Sequence, residues 1–418
     1  MSLAKNVDYL RRLPKLNGVN GFRAFGGNLR PGLRSPLAEV IEFGSNPGAL
    51  KMFSFVPDSM QSAPALVVVL HGCGQSAAAY DLGAGWSTLA KHYGFALLMP
   101  EQQSPNNAQG CFNWFNPEDT ARDSGEACSI RQMIARMVSD HKVDSNRIFV
   151  TGLSAGGAMT SVMLATYPEV FAGGAVIAGL PFGVATNVRE ALSGMFVSPS
   201  RPASELGDLV RSASNHKGPW PKLSVWHGSA DRTVNPANAN EIVKQWLDVH
   251  QLPAAPMSEA IVDGYPRQVW WNSDGETVVE SYTITDMAHG TPLGTAEDDE
   301  RYGAQGAFLI EAGISSSYHI ANFFGLTEWI RQPEVVAAEA PMKDIAKQAA
   351  KETPKTIPAD QPVAATAPDL TKVLWPLTTL HSRPEPGRRS EPPRPPRRRG
   401  IDVGAVITRA LTAAGLMK

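Results

Sequence analysis

One eight-residue segment, VTGLSAGG at residues 150–157, limits what this chain can fold into more than any other. The run before it, RIFVT at 147–151, is β-branched and aromatic, which is typical of a buried strand. The run after it, AMTSVMLAT at 158–166, carries apolar residues at helical spacing and stops before a Tyr-Pro pair. Between them stands G-x-S-x-G, the pattern of a sharp strand-to-helix turn that exposes a serine hydroxyl above a sheet. The segment therefore predicts an α/β fold with Ser154 at the turn.

Strands and helices alternate on both sides of this segment. The continuous apolar run ALVVVL at 65–70 is typical of a strand that is covered on both faces. The helix predicted at 129–141 opens with a capping box formed by Ser129 and Gln132. Other strands are predicted at residues 95–99, 171–177 and 222–226, and other helices at residues 85–93 and 235–250. This alternation predicts a mostly parallel central sheet with helices on both faces.

The ends of the predicted sheet are less regular. Two strand-like runs at 38–43 and 49–56, joined by a turn rich in Gly and Pro, predict an antiparallel pair at one edge. Residues 180–219 are rich in Gly, Ser and Pro around a single helical stretch, and they predict an excursion over the top of the sheet. Two short strands within 266–284 and a helix at 316–330 complete the predicted fold.

The composition changes sharply near Gln332 and divides the chain into four parts. Residues 37–332 are expected to form the folded domain, after a weakly ordered lead-in at 1–36. Residues 333–400 are rich in Ala, Pro and Arg with few core-forming side chains, which predicts a disordered linker. Apolar residues recur at helical spacing within 401–418, which predicts a terminal amphipathic helix. The arginine-rich tail is either a solvated linker or a contact for a surface or a partner.

Composition excludes several classes of protein. A net charge of −2 over 418 residues predicts no nucleic-acid partner, and the lack of a run of 18 apolar residues predicts no transmembrane helix. The three cysteines, Cys73, Cys111 and Cys128, form no C-x-x-C pair, so neither a zinc site nor a redox motif is indicated. No metal and no cofactor is expected. The N-terminal segment is charged and lacks the apolar region of a signal peptide.

A serine hydroxyl becomes a useful nucleophile when a histidine accepts its proton and a carboxylate orients that histidine. On this kind of fold both partners follow strands, in the chain order serine, acid, histidine. Asp231 follows the strand at 222–226, and His289 lies in a loop between the last strand and the last helix, so these two positions are favoured. The competing acids are Glu241 and Asp286, and the competing histidines are His71, His227, His250 and His319. Two of these histidines, His71 and His227, end strands beside glycine and are expected to support neighbouring loops.

Acyl transfer also needs backbone N–H donors for the negatively charged oxygen of its intermediate. The amide after the serine and an amide in the loop after an early strand supply them on such a fold. Here these are the N–H groups of Ala155 and Cys73. The flanking Gly72 and Gly74 let the backbone approach a substrate closely.

Together these motifs resemble the polyhydroxybutyrate-depolymerase family of esterases, within the α/β-hydrolase fold. The match spans residues 37–330 and rests on LHGCGQSAAAY (70–80), CFNWF (111–115), GLSAGGAMT (152–160), AGLPFG (178–183), WHGSADRTVNPAN (226–238) and MAHG (287–290). The resemblance implies a serine esterase that acts through an acyl-enzyme on poly(3-hydroxyalkanoate) or 3-hydroxybutyrate esters. A feruloyl or acetyl-xylan type of carbohydrate esterase is the alternative within hydrolases. A non-catalytic protein that binds a surface or granule is the alternative from another class.

The resemblance has two further implications. It favours a disulfide between Cys73 and Cys111, which occur together in such esterases, and two free buried thiols are the alternative in a reducing compartment. It also implies an extracellular protein, while the N-terminal segment gives no export signal, so extracellular and cytoplasmic locations both stay open.

Aromatic residues near the motifs are candidates for the wall of a substrate groove. Tyr80, Trp114 and Phe182 are the main candidates, with Phe112 and Phe115 beside them. Each of them either lines an acyl groove or fills the core, because aromatic side chains do both.

Overall fold

The computed structural model describes residues 34–60, 62–298 and 300–327. Most of the predicted lead-in, the predicted linker and the predicted terminal helix lie outside the described residues. In chain order the strands of the main sheet are β1 (Ala38–Val40), β2 (Lys51–Phe55), β3 (Leu66–Leu70), β4 (Ala96–Glu101), β5 (Ile148–Leu153), β6 (Gly173–Ile177), β7 (Lys222–Gly228), β8 (Ser258–Val262), β9 (Tyr265–Trp271) and β10 (Thr277–Ile284). A separate parallel pair consists of β11 (Thr291–Leu293) and β12 (Leu309–Glu311).

Helices connect most of these strands. They are α1 (Ala77–Ala84), α2 (Trp86–Tyr93), α3 (Pro117–Thr120), α4 (Gly125–His141), α5 (Ala155–Thr166), α6 (Val188–Phe196), α7 (Ala203–Ser212), α8 (Ala237–His250) and α9 (Ser316–Phe323). Within the described ranges, no helix has both the length and the apolar character needed to cross a bilayer.

The main sheet has the strand order β1-β2-β4-β3-β5-β6-β7-β10-β9-β8. Its six central strands, from β4 to β10, run parallel. The β1–β2 pair extends one side and the β9–β8 pair the other, and both are antiparallel additions. The predicted parallel centre and the predicted antiparallel pair at one edge are therefore confirmed. Strand β8 was not predicted, because four of its five residues are exposed and carry no apolar pattern.

The sheet is covered on both faces, as predicted. Within β3, Leu66, Val68 and Leu70 belong to one apolar cluster, whereas Val67 and Val69 belong to another. Successive strand residues point to opposite faces, so the two clusters are the two sides of the sheet. Buried residues of α4, α5 and α8 pack in the first cluster, and those of α1, α2 and α9 in the second. A parallel sheet enclosed in this way brings the carboxyl ends of its strands to one edge.

Several predicted boundaries were wrong. The capping box is one example, because α4 begins at Gly125 and Ser129 lies inside the helix. The Ser129 hydroxyl instead accepts a hydrogen bond from the amide of Gly48 at 2.8 Å, and Gln132 accepts one from the amide of Asn46 at 2.9 Å. The two side chains thus hold the loop before β2 against the helix.

Other helices also differ from the prediction. The excursion at 180–219 carries two helices, α6 and α7, where one was expected. A second helix, α1, precedes the predicted α2, and the two are separated by Gly85, whose φ of 79° ends α1. The last described helix stops at Phe323 rather than near residue 330.

Candidate active site

Ser154 occupies a strained turn between β5 and α5. Its backbone has φ 59° and ψ −117°, a combination that costs a non-glycine residue about 1–3 kcal/mol. The amide of Ser154 donates to the carbonyl of Ile177 at 2.9 Å, which ties the turn to the end of β6. Although Ser154 is the N-cap of α5, its side chain makes no capping hydrogen bond, so Oγ is left for chemistry. The predicted turn is therefore present in the backbone.

Glycines on both sides of Ser154 make the turn possible. A Cβ on Gly156 would lie 2.2 Å from the carbonyl oxygen of Leu70, at the end of β3. A Cβ on Gly152 would lie 2.4 Å from the carbonyl oxygen of Gly156. Both contacts are with backbone atoms that cannot swing away, so any side chain would force β3, β5 and α5 apart. The glycines of the motif are required by close packing as well as by chain flexibility.

Asp231 and His289 are in direct contact. Nδ1 of His289 lies 2.7 Å from Oδ2 of Asp231, and both residues are buried. The other carboxylate oxygen, Oδ1, accepts hydrogen bonds from the amides of Thr233 at 2.8 Å and Val234 at 2.9 Å. Because the carboxylate can only accept, it fixes the Nδ1–H tautomer of His289 and leaves Nε2 able to accept a proton.

Backbone hydrogen bonds join the loop that carries Asp231 to the loop that carries His289. The amide of Ser229 donates to Ile284 at 2.9 Å, and the amide of Ala230 donates to Met287 at 3.0 Å. Gly228 allows this approach, because a Cβ there would lie 2.3 Å from the carbonyl oxygen of Met287. Since β7 and β10 are adjacent parallel strands, the two loops leave the sheet side by side and are then locked together.

A second histidine also contacts Asp231. Nε2 of His227 lies 3.0 Å from the carbonyl oxygen of Val234 and 3.2 Å from Oδ2 of Asp231. A carbonyl only accepts, so Nε2 carries the proton and shares it between the two oxygens. Burial alone would raise the pKa of Asp231, but the hydrogen bonds from His227 and His289 hold it well below its usual range. The carboxylate therefore stays ionised.

This contact was missed in the sequence, where His227 was expected only to support a loop. The signal was present in HGSAD at 227–231, in which a histidine precedes the acid by four residues. Such spacing closes one turn of chain and can return the imidazole to the carboxylate.

The competing residues lie elsewhere. Glu241 accepts hydrogen bonds from Lys244 at 2.6 Å and from residues 200–201, and Asp286 is exposed. Two of the competing histidines pair with other groups, His250 with the carbonyl of Pro221 and His319 with the carboxylate of Asp263. In the described part of the chain, no three His, Cys, Asp or Glu side chains are grouped so that they could hold a metal ion.

The two predicted oxyanion donors lie in the loop after β3 and at the start of α5. The amide of Cys73, like that of Ala155 at the first turn of α5, has no acceptor among the described residues. Ala155 also begins a helix, whose N-terminus favours negative charge. Cys73 and Cys111 are joined as a disulfide with an S–S distance of 2.09 Å, so the loop after β3 is linked to the loop after β4. Cys128 is a free cysteine.

His71 fixes the start of this loop. Its Nδ1 donates to the carbonyl of Gly72 at 2.8 Å, and its Nε2 accepts from the amide of Gln102 at 3.1 Å. Burial lowers the pKa of His71 to about 4, against a smaller opposing effect of the bond to Gly72. The ring is therefore neutral near pH 7, and it bridges the ends of β3 and β4.

The aromatic residues proposed as a groove wall occupy different environments. Tyr80 is a correction: it is fully buried in the core, where its hydroxyl lies 3.1 Å from Thr291 Oγ1. Trp114 is only 8% exposed and packs edge-on against Phe115, with ring centroids 5.5 Å apart. Phe182 is half-buried, and its backbone is held by Gln245 through two hydrogen bonds of 3.0 Å. Phe182 keeps an exposed surface at the start of the excursion.

Comparison with known proteins places this chain among esterases. The family model described as "Esterase PHB depolymerase" matches residues 52–259. A poly(3-hydroxyalkanoate) depolymerase C from Paucimonas lemoignei is 46% identical over 291 residues, which cover 69% of this chain and 70% of that protein.

The chain belongs to the PHB depolymerase family of esterases.

Relatives with other names are less similar to this chain. An acetylxylan esterase from Coprinopsis cinerea is 34% identical, with 61% of this chain and 69% of that protein covered. A feruloyl esterase B from Talaromyces stipitatus is 30% identical, with coverages of 65% and 76%. The solved structure of an acetyl xylan esterase from Aspergillus awamori superposes with a TM-score of 0.56 at 28% identity, over 60% of this chain and 93% of that one. The protein is a serine carboxylic-ester hydrolase with an α/β fold.

Proposed function

We propose that Ser154, His289 and Asp231 are the catalytic triad and that the enzyme cleaves poly(3-hydroxyalkanoate) or 3-hydroxybutyrate esters. The observation that carries the proposal is the 2.7 Å contact between Nδ1 of His289 and Oδ2 of Asp231. It leaves Nε2 of His289 as the base for Ser154, which stands on a strained turn at the end of β5, a strand of the same parallel sheet.

The reaction runs in two stages. Oγ of Ser154 bonds to the acyl carbon while its proton passes to Nε2 of His289. The carbonyl oxygen becomes negative and is stabilised by the amides of Cys73 and Ala155. The bond to the alcohol then breaks, and His289 returns the proton to the departing oxygen. Water, deprotonated by His289, attacks the acyl-enzyme and releases the acid, with the proton going back to Ser154.

Asp231 stabilises the histidine while it is protonated. Its lowered pKa keeps it ionised over the range in which an esterase works, so it stays a hydrogen-bond acceptor and an electrostatic partner for the imidazolium.

The substrate class rests on the relatives. The identity of 46% to a poly(3-hydroxyalkanoate) depolymerase exceeds the 30–34% to acetylxylan and feruloyl esterases, which favours a hydroxyalkanoate ester. A carbohydrate ester is the second candidate, supported by the acetyl xylan esterase structure with a TM-score of 0.56. Fold is shared by both groups, so substrate has to be assigned by experiment.

Hydrolysis of p-nitrophenyl butyrate tests the triad. Ser154→Ala is expected to lose activity and labelling by a fluorophosphonate, whereas Ser145→Ala, a change of an exposed serine, keeps both. A fully active Ser154→Ala enzyme would show that another nucleophile is used. An unlabelled, inactive wild type that still sediments with polymer granules would favour a binding protein.

A parallel assay tests the substrate. Native granules, 3-hydroxybutyrate oligomers, acetylated xylan and methyl ferulate are offered to the wild type under one condition. The proposal predicts the highest kcat/KM on the 3-hydroxybutyrate oligomers. A higher kcat/KM on acetylated xylan or methyl ferulate would show that the enzyme is a carbohydrate esterase instead.

A further inference from the structure

A tight turn at residues 306–309 lies against the catalytic histidine. Gly306 and Leu309 exchange backbone hydrogen bonds of 3.2 Å in both directions, so Ala307 and Phe308 form the tip. Phe308 has a φ of 62°, a left-handed conformation that a bulky residue adopts at a cost. Glycine would form this turn without strain, so a phenylalanine here suggests that its side chain has a function of its own.

Phe308 contacts the ring that moves the proton. The rings of Phe308 and His289 meet edge to face, with centroids 5.7 Å apart and planes at 76°. The carbonyl of Phe308 accepts a hydrogen bond from the amide of Thr291 at 2.8 Å, two residues after the histidine. Phe308 is half-buried, so part of its ring faces outward beside His289.

Gln75 fastens the same turn to the loop that carries Cys73. Its Oε1 accepts from the amide of Gly72 at 2.9 Å, and its Nε2 donates to the carbonyl of Ala307 at 3.2 Å. The two partners fix the orientation of the side-chain amide, since one of them only donates and the other only accepts. One side chain thus connects the loop that carries the Cys73 amide to the turn that carries Phe308.

We propose that Phe308 is a specificity-determining residue that forms the apolar wall for the alcohol portion of the ester, and that Gln75 positions it. This rests on the proposed triad. His289 gives its proton to the departing alcohol oxygen, so a side chain beside the imidazole borders the alcohol rather than the acyl chain. An apolar ring there favours large apolar alcohols through burial of their surface.

Two substrate series separate the alcohol from the acyl side. The first contains methyl, butyl and benzyl butyrate, measured by acid release, and the second contains p-nitrophenyl acetate, butyrate and hexanoate. Phe308→Gly removes the ring and suits the left-handed backbone. It is expected to reduce the preference for benzyl over methyl butyrate by about tenfold, the size of a lost apolar contact. The order of the p-nitrophenyl esters should not change, because their alcohol is the same throughout.

Matched variants control for folding and for general damage. Phe323→Leu alters another half-buried phenylalanine in the same apolar cluster and is expected to change neither series. Phe308→Leu keeps a smaller apolar wall, and it should shift the alcohol preference in the same direction by less. If Phe308→Gly does not fold, Phe308→Leu carries the test.

Gln75→Glu tests the positioning role. It keeps an acceptor for Gly72 but sets a carboxylate oxygen against the carbonyl of Ala307, which detaches the turn. The Gln75→Glu enzyme should therefore also show a reduced preference for benzyl over methyl butyrate. Equal losses in both series for the Phe308 variants, or a change confined to the acyl series, would overturn the proposal. Failure of the triad would instead appear as an active Ser154→Ala enzyme, so the two outcomes are distinct.

Discussion

Nε2 of His227 lies 3.2 Å from Oδ2 of Asp231, the same oxygen that accepts a hydrogen bond from Nδ1 of His289. His227 is buried, and the hydrogen bonds from His227 and His289 both lower the pKa of Asp231. His227→Leu removes this donor. A hydrogen bond to a charged group is worth about 1.5–3 kcal/mol, so we expect kcat/KM to fall by about 10- to 100-fold.

The pH profile distinguishes this effect from simple damage. Without His227 the pKa of Asp231 rises towards its ordinary value, so the loss of kcat/KM caused by protonation of Asp231 should begin at a higher pH and move the acid limb. His227→Gln keeps an N–H donor and should restore part of the activity. A profile that only drops in height, with no shift of the acid limb, would contradict this role.

Gly156 provides a test of the packing around the serine. Replacing a helix glycine by alanine normally stabilises a helix by about 1 kcal/mol. At Gly156 the new Cβ would lie 2.2 Å from the carbonyl of Leu70, so we expect the reverse, a loss of about 3 kcal/mol or more. Urea unfolding measures it. The control is Gly275→Ala, which has φ 82° but open space around it and should cost only about 1–2 kcal/mol.

The disulfide between Cys73 and Cys111 joins positions 38 residues apart. Cys73→Ser/Cys111→Ser is expected to lower the free energy of unfolding by about 3–4 kcal/mol, because the unfolded chain gains freedom. Since Cys73 also carries an oxyanion amide in the proposed mechanism, kcat should fall more than KM rises. Cys128→Ser, at the free cysteine, serves as control and should leave both unchanged. Equal stability of the two variants would show that the bridge adds nothing.

Stability should depend on pH through His71. Its pKa is lowered from 6.5 to about 4 in the folded protein by burial, so the unfolded chain binds the proton first as the pH falls. The free energy of unfolding keeps its full value from the neutral His71 above pH 6.5. It falls by about 3 kcal/mol in total as the pH drops from 6.5 to 4. The difference in unfolding free energy between wild type and His71→Gln, followed from pH 8 to 4, measures it. A difference that is constant with pH would refute the assignment.

The parallel centre of the sheet could be predicted because its strands are continuous apolar runs, a pattern that burial on both faces imposes. The positions of Ser154, Asp231 and His289 were also readable, since each follows a strand whose carboxyl end had to lie at one edge. Elements with weak apolar periodicity could not be predicted from the sequence. The exposed strand β8 is an example.

Contacts between distant segments escaped prediction for a different reason. The bond from Gln75 to Ala307 spans 232 residues, and it depends on loop paths that leave no trace in local spacing. The sequence also could not show whether an aromatic side chain is buried in the core or lines a groove. Tyr80 looked like a groove residue beside a motif, yet its helix turns it into the core.

All twelve residues of α5, the helix that starts beside Ser154, are buried, whereas only two residues of α6 in the excursion are. Exposing α5 to water therefore requires opening the core, while α6 can detach at much lower free energy. Amide hydrogens of α5 should exchange only through global unfolding, and those of α6 well before it. Under mild denaturing stress the excursion should therefore come loose while Ser154 is still held in its turn.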